Sequence, residues 1–95
     1  MTTRLLVCFA ALGLIAACAI PPEGVTPQKL ASFDAAVASI GCDLVGERDY
    51  LPVELQTGLT RDQVIETAQF RLANQEAVRL SNGGIRLTTG ACAAA

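Results

Sequence analysis

The sequence predicts a small α+β domain, mainly helical, with three helices, a C-terminal β-hairpin and one disulfide. Three observations carry that expectation. Two helix starts are written in capping residues, at Thr26-Pro27 and at Thr60-Arg61-Asp62-Gln63. Asn82-Gly83 separates two alternating runs, AVRLS and GIRLT. Cys42 and Cys92 form an even pair within the stretch that holds these elements. A chain of 95 residues has room for one such domain.

Thr26 supplies a hydroxyl cap and Pro27 fits the first helical position, where its missing N–H costs nothing. Leu30, Phe33, Val37 and Ile40 follow at spacings of three and four, with Ala36 between them, so one apolar stripe runs along a helix over 27–40. Gly41 ends it as a left-handed cap. The run from Cys42 to Gly46 is too short for a helix and reads as a brief strand, and GERD after it reads as a polar turn. Pro52 then opens a short helix, PVELQT, that Gly58 closes, with Leu59 as the apolar contact just past the cap.

Thr60 and Gln63 form a capping box for the third helix, and Asp62 suits the positive end of its dipole. Val64, Ile65, Ala68 and Leu72 make its buried stripe. At 100° per residue Phe70 falls on the far side, with Gln63, Glu66 and Thr67. In the hairpin a two-residue type I′ turn at Asn82-Gly83 sets Leu80 against Ile85 and Val78 against Leu87. All four then share one face, and the other carries Arg79 opposite Arg86.

Ahead of this domain the chain changes character. The 52% hydrophobic content is weighted toward the N-terminus, where residues 5–17, LLVCFAALGLIAA, carry no charge and follow a short basic start ending in Arg4. Thirteen residues make a helix of about 20 Å, too short for a hydrocarbon core of about 30 Å, whereas a signal-peptide h-region has that length. The residues that end the run, Ile15-Ala16-Ala17-Cys18, resemble a bacterial lipobox: a branched apolar residue, two small ones that fit a peptidase groove, and a cysteine. The resemblance implies a signal peptide over 1–17 and a thioether-linked diacylglycerol on Cys18, which becomes the acylated N-terminus. The chain is then anchored to a membrane through lipid and faces the periplasm of a cell envelope. Ala19 after the cysteine, where Asp would retain the protein, implies the outer membrane in many Gram-negative bacteria. Residues 18–25 form the lipidated cysteine and a short tether, the seven residues AIPPEGV reaching at most about 25 Å. The compact domain covers 26–92, and 93–95 read as a disordered tail. The alternative is cleavage after Ala19 at the small-x-small triplet Ala17-Cys18-Ala19, which discards Cys18 and releases a soluble periplasmic binding module or inhibitor.

Cys8 is lost with the signal under either outcome, which leaves Cys42 and Cys92 for a disulfide in an oxidising compartment. The element order from Thr26 to Cys92 resembles a winged helix-turn-helix domain, with the hairpin as wing and Gly58-Leu59-Thr60 at the turn. Glu54 departs from the small residue usual four positions before that glycine. In such folds the first short strand pairs with the second strand of the wing, which implies that Cys42 lies near Cys92. A core this small is marginal without such a bond, which closes a loop of about fifty residues.

DNA binding is not expected despite that likeness. The helix after the turn offers Arg61, Asp62, Gln63, Glu66 and Arg71, a near-neutral face. Without residues 1–17 the chain carries six Lys/Arg against nine Asp/Glu, a net charge of −3 unsuited to phosphate backbones. The chain has no histidine, so Ser/His and Cys/His pairs are absent, and a non-catalytic protein with no cofactor is expected. Two thiolates without histidine make a poor metal site, and Asp43, Glu47 and Asp49 lack the calcium-loop pattern. Phe70, Arg79 and Arg86 are the candidate contacts for a partner, an envelope protein or assembly.

Overall fold

The computed structural model describes residues 20–93. The expected signal peptide, the lipobox-like residues Ile15-Ala16-Ala17-Cys18 and residues 94–95 lie outside the described residues. Three helices pack beside a three-stranded antiparallel sheet in the order α1 (Pro27–Ser39), β1 (Asp43–Leu44), α2 (Glu47–Thr57), α3 (Arg61–Ala73), β2 (Ala77–Arg79) and β3 (Ile85–Leu87), and a short 3₁₀ turn at Gly90–Cys92 follows. The strands lie in the order β1-β3-β2. The class is the expected one, α+β and mainly helical, and β1 pairs with the second strand of the hairpin.

Local chemistry sets the helix ends. The Thr26 hydroxyl accepts the Lys29 N–H at 3.2 Å, opening α1. At its other end Gly41 is left-handed (φ +102°), the Gly41 N–H reaches the Ala38 carbonyl and the Cys42 N–H reaches Val37, a complete Schellman cap. Thr60 and Gln63 make the reciprocal capping box: the Gln63 N–H donates to the Thr60 hydroxyl at 3.1 Å, and the Thr60 N–H to the Gln63 side chain at 3.0 Å. Gly58 closes α2 at φ +77°, with its N–H on the Glu54 carbonyl at 2.8 Å.

Phe33, Val37, Leu44, Val53 and Val64 are fully buried at the centre, with Leu59, Ala68 and Leu87 around them. Leu30 and Ile40 pack at the margin. Cys42 and Cys92 are joined across 50 residues at a Cα separation of 5.8 Å, so the expected disulfide is present.

Three expectations are corrected. GERD is not a turn: α2 begins at Glu47, because the Asp49 carboxylate accepts the Val45 and Gly46 N–H groups at 2.9 and 3.3 Å and two acids sit in the first turn. Pro52 therefore lies inside the helix. It has no N–H for the Arg48 carbonyl four residues back, at a position where Arg48 is exposed to water. Thr67 does not face solvent; it is fully buried, with its hydroxyl donated to the Gln63 carbonyl at 2.6 Å.

The third correction is the hairpin register. Ala77 pairs with Leu87, Val78 with Arg86 and Arg79 with Ile85. The loop has three residues, Ser81-Asn82-Gly83, closed by the Leu80 N–H on the Gly84 carbonyl at 2.8 Å and the Gly83 N–H on Leu80 at 3.0 Å. A type I′ turn needs both central residues left-handed. Gly83 is (φ +92°), but the left-handed non-glycine residues described are Cys42 and Gln75, so Asn82 is not, and its side chain accepts the Gly84 N–H at 2.9 Å instead. A one-residue slip turns every side chain of a strand over. Ala77 points inward and is buried, while Val78 is left 47% exposed.

Gln75 occupies the left-handed position after α3 (φ +62°), where Gln75 and Glu76 donate to Leu72 and Arg71 in a second Schellman cap. Gln75→Gly should remove a steric cost of about 1 kcal/mol and raise the melting temperature by about 5 °C. Gly41→Ala should lower it by a similar amount, since its Cβ would meet no atom and the cost is conformational alone. An unchanged melting temperature in both variants would count against these caps. Replacing both Cys42 and Cys92 by alanine should cost up to about 4 kcal/mol. Total stability for a domain of this kind is about 5–15 kcal/mol. Urea titration should therefore show a large loss of midpoint, and no loss would mean that the loop closure contributes nothing.

Candidate functional site

Five of the carboxylates are held by three arginines. Arg71, 13% exposed, donates to both oxygens of Asp34 on α1 at 3.1 and 2.7 Å and to Glu76 at 2.7 Å. Arg61 binds both oxygens of Glu47 at 2.9 and 2.8 Å, pairs with Glu54, and lies 5.1 Å from the centre of the Tyr50 ring. Glu54 thus reaches across the turn between α2 and α3 to Arg61. Arg86 binds both oxygens of Asp43 at 2.7 and 3.0 Å.

The structure separates the residues expected at a contact surface. Arg86 and Arg79 are not opposite one another. Arg86 sits between Val78 and Asp43 in the sheet, and the shifted register puts Arg79 beside Ile85, on the other side of the strand pair. The like-charge face expected from a two-residue turn does not exist. Arg79 is exposed and makes no ion pair among the described residues. Phe70 is half-buried and outside the core cluster, with the Arg71 guanidinium 5.8 Å from its ring centre. Asp43, Glu47 and Asp49 do not converge: the first two hold different arginines and the third caps α2. Among the described residues no group of three His, Cys, Asp or Glu side chains could hold a metal.

An apolar cavity of about 10 Å³ lies between α1, α3 and the sheet, lined by Phe33, Val37, Ala68, Ala77, Leu87 and the stem of Arg71. It is at the limit for a single water and far below the about 300–1,000 Å³ of a ligand site. Residues not anticipated from sequence stand elsewhere on the surface. Leu55 is 76% and Leu51 46% exposed, one turn apart on α2. Their signal is the i, i+4 spacing of leucines in LPVEL, which is hidden when the helix is started at Pro52 and Leu51 falls before it.

No family model matches this chain, and neither a curated protein nor a solved structure is similar to it at the significance required of a match.

The two ion-paired aspartates respond oppositely to their surroundings. Burial raises the Asp34 pKa above the ordinary carboxylate value, more than the bond from Arg71 lowers it. The bond from Arg86 lowers that of Asp43. The folded form therefore binds the Asp34 proton more tightly than the unfolded chain does, so Asp34 contributes less stability as pH rises through the carboxylate range. Asp43 contributes stability above its unfolded pKa and loses it as pH falls. Asp43→Asn should flatten the fall of stability between about pH 5 and 3, and Asp34→Asn should steepen it. Urea midpoints across that range check this; equal slopes for the two variants would contradict the assignment.

Proposed function

We propose that the chain is an exported, lipid-anchored protein of a bacterial cell envelope whose folded domain is a non-catalytic interaction or structural module. The observation that carries this is the uncharged h-region that ends in Ile15-Ala16-Ala17-Cys18. The Cys42–Cys92 disulfide supports it, because such bonds persist in oxidising compartments. The module faces the periplasm, and Ala19 favours the outer membrane.

Lack of catalysis is supported by the commitments of the polar groups. The chain has no histidine, and Asp34, Asp43, Glu47, Glu54 and Glu76 all bind arginines. A general base needs a carboxylate in reach of substrate, and these are turned onto the protein itself. The same ion pairs support the exclusion of nucleic acid. Arg61 and Arg71, the two cations on the helix after the turn, are both neutralised by acids of this chain. Phe70 and Arg79 stay as the proposed partner contacts, and Arg86, committed to Asp43, leaves that set.

Metabolic labelling with a fatty-acid probe tests the anchor. The wild type should be labelled and partition with membranes, and Cys18→Ser should be neither labelled nor retained there. An unlabelled soluble product beginning at Ile20 would replace this reading with cleavage after Ala19 and a free periplasmic binding module.

A further inference from the structure

We propose that the outward face of α2, the row Arg48, Leu51 and Leu55, rests on the bilayer that holds the anchor; this rests on the lipid-anchor reading and gives the domain an orientation. At 100° per residue, Tyr50, Val53 and Thr57 point within about 60° of one direction, the core. Arg48, Leu51 and Leu55 cluster on the opposite side of the helix. Val53 and Thr57 are buried, whereas Leu55 and Leu51 are the exposed leucines. The exposed apolar row is therefore the helix's true outer face.

The length of free chain selects the occupant. Val25 is buried in the core, its N–H is bonded to the Pro22 carbonyl at 3.1 Å, and the Glu23 carbonyl accepts the Gln63 side chain at 3.3 Å. The chain is thus pinned at Glu23, and five residue steps back to Cys18 reach at most about 17 Å. A domain of this size is about 28 Å across. A tether shorter than the domain cannot let it tumble, so the side from which the tether leaves is held against lipid. That side adjoins the C-terminal end of α2: the tether enters α1 at its Thr26 cap, and three residues on the Lys29 ammonium donates to the Thr57 carbonyl at 2.5 Å, in the last turn of α2, which carries Leu55. A second copy is a poorer occupant, because two leucines fall far short of the about 800 Å² per partner of a stable interface.

The chemistry suits an interface rather than a charge-driven contact. Leu51 and Leu55 would enter the headgroup–acyl boundary to a depth of about 5–10 Å. Arg48 is exposed and makes no ion pair among the described residues, so its stem can lie along the same face with the guanidinium at the phosphates. The acidic balance beyond residue 17, six Lys/Arg against nine Asp/Glu, leaves no net attraction to anionic lipid.

The chain has no tryptophan, so a single indole is an unambiguous probe. The full lipidated chain carrying Leu55→Trp is reconstituted into phosphatidylcholine vesicles with brominated acyl chains, beside a Ser81→Trp control at the hairpin tip. Residue 55 should be quenched about twofold or more relative to unbrominated vesicles, residue 81 should not, and high salt should leave the difference intact. Adding Leu51→Glu should abolish the quenching while the protein still floats with the vesicles. Flotation with equal, weak quenching at both positions would overturn the orientation and leave the anchor standing. A blue-shifted but unquenched residue 55 would overturn it in favour of a protein occupant. Failure to float would overturn the anchor itself and this inference with it.

Discussion

Cys42 is the residue on which both halves of the fold depend. Its N–H completes the cap of α1 on Val37, its carbonyl accepts the Leu87 N–H of β3 at 2.9 Å, and its sulfur is bound to Cys92. One residue thus ties the first helix, the sheet and the C-terminal turn. It does so in a left-handed conformation (φ +75°) that costs a non-glycine residue about 1–2 kcal/mol. Closure of the chain at this point offsets that cost. With positions 42 and 92 joined, α2, the turn, α3 and the hairpin all lie inside one closed loop, and the unfolded chain loses the entropy of that loop. A core of mostly Val, Ala and Leu at this chain length leaves little margin without it.

The arginines act at a second level. Each joins segments that the disulfide loop only brings near: Arg71 spans α1, α3 and the approach to β2, Arg61 ties α3 back to both ends of α2, and Arg86 links β3 to β1. Their worth differs with solvent. Arg71 is the best shielded and lines the core cavity, so losing Asp34 or Glu76 would leave charge poorly solvated. The Arg61–Glu47 and Arg86–Asp43 pairs are exposed and contribute little to stability, but they fix orientation and use up cations. That consumption leaves α3 with no unpaired basic side chain, since Arg61 and Arg71 are both bound by acids of this chain.

What was legible in the sequence was the chemistry that acts over three or four residues. Thr26, Gly41, Gly58, Thr60 and Gln63 could be read because each satisfies or ends a helix through its immediate neighbours. The hairpin was legible as a hairpin and illegible in register. Asn82-Gly83 fits a two-residue loop as well as a three-residue one; here the Asn82 side chain accepts the Gly84 N–H and Leu80 closes onto Gly84, a register that sets Ala77 rather than Val78 inward. GERD reads as a turn because Asp49 caps backward onto Val45 and Gly46, and because Pro52 looks like a beginning. The Arg71–Asp34 and Arg86–Asp43 pairs span 37 and 43 residues and have no local signature, so Arg86, one of the candidate contact residues, could not be judged before the fold was known.

The distribution of apolar side chains carries the last step. The interior admits Thr57 and Thr67 and tolerates a small void between Ala68 and Ala77, while Leu51, Leu55, Val45 and Val78 stand outside. A fold optimised for stability alone would exchange these, since leucine burial contributes roughly 2 kcal/mol and a buried hydroxyl must first recover its lost water. Both threonines recover it locally, Thr57 from Val53 and Thr67 from Gln63, so the helices need no outside partner for them. The exposed leucines have no such internal account. They lie in one row on one helix, opposite its packed side, and the N-terminal segment enters the fold near the end of that helix, where Lys29 of α1 donates to the Thr57 carbonyl. A row with that placement is explained by a surface outside the molecule, and the pinned segment determines how near that surface must be.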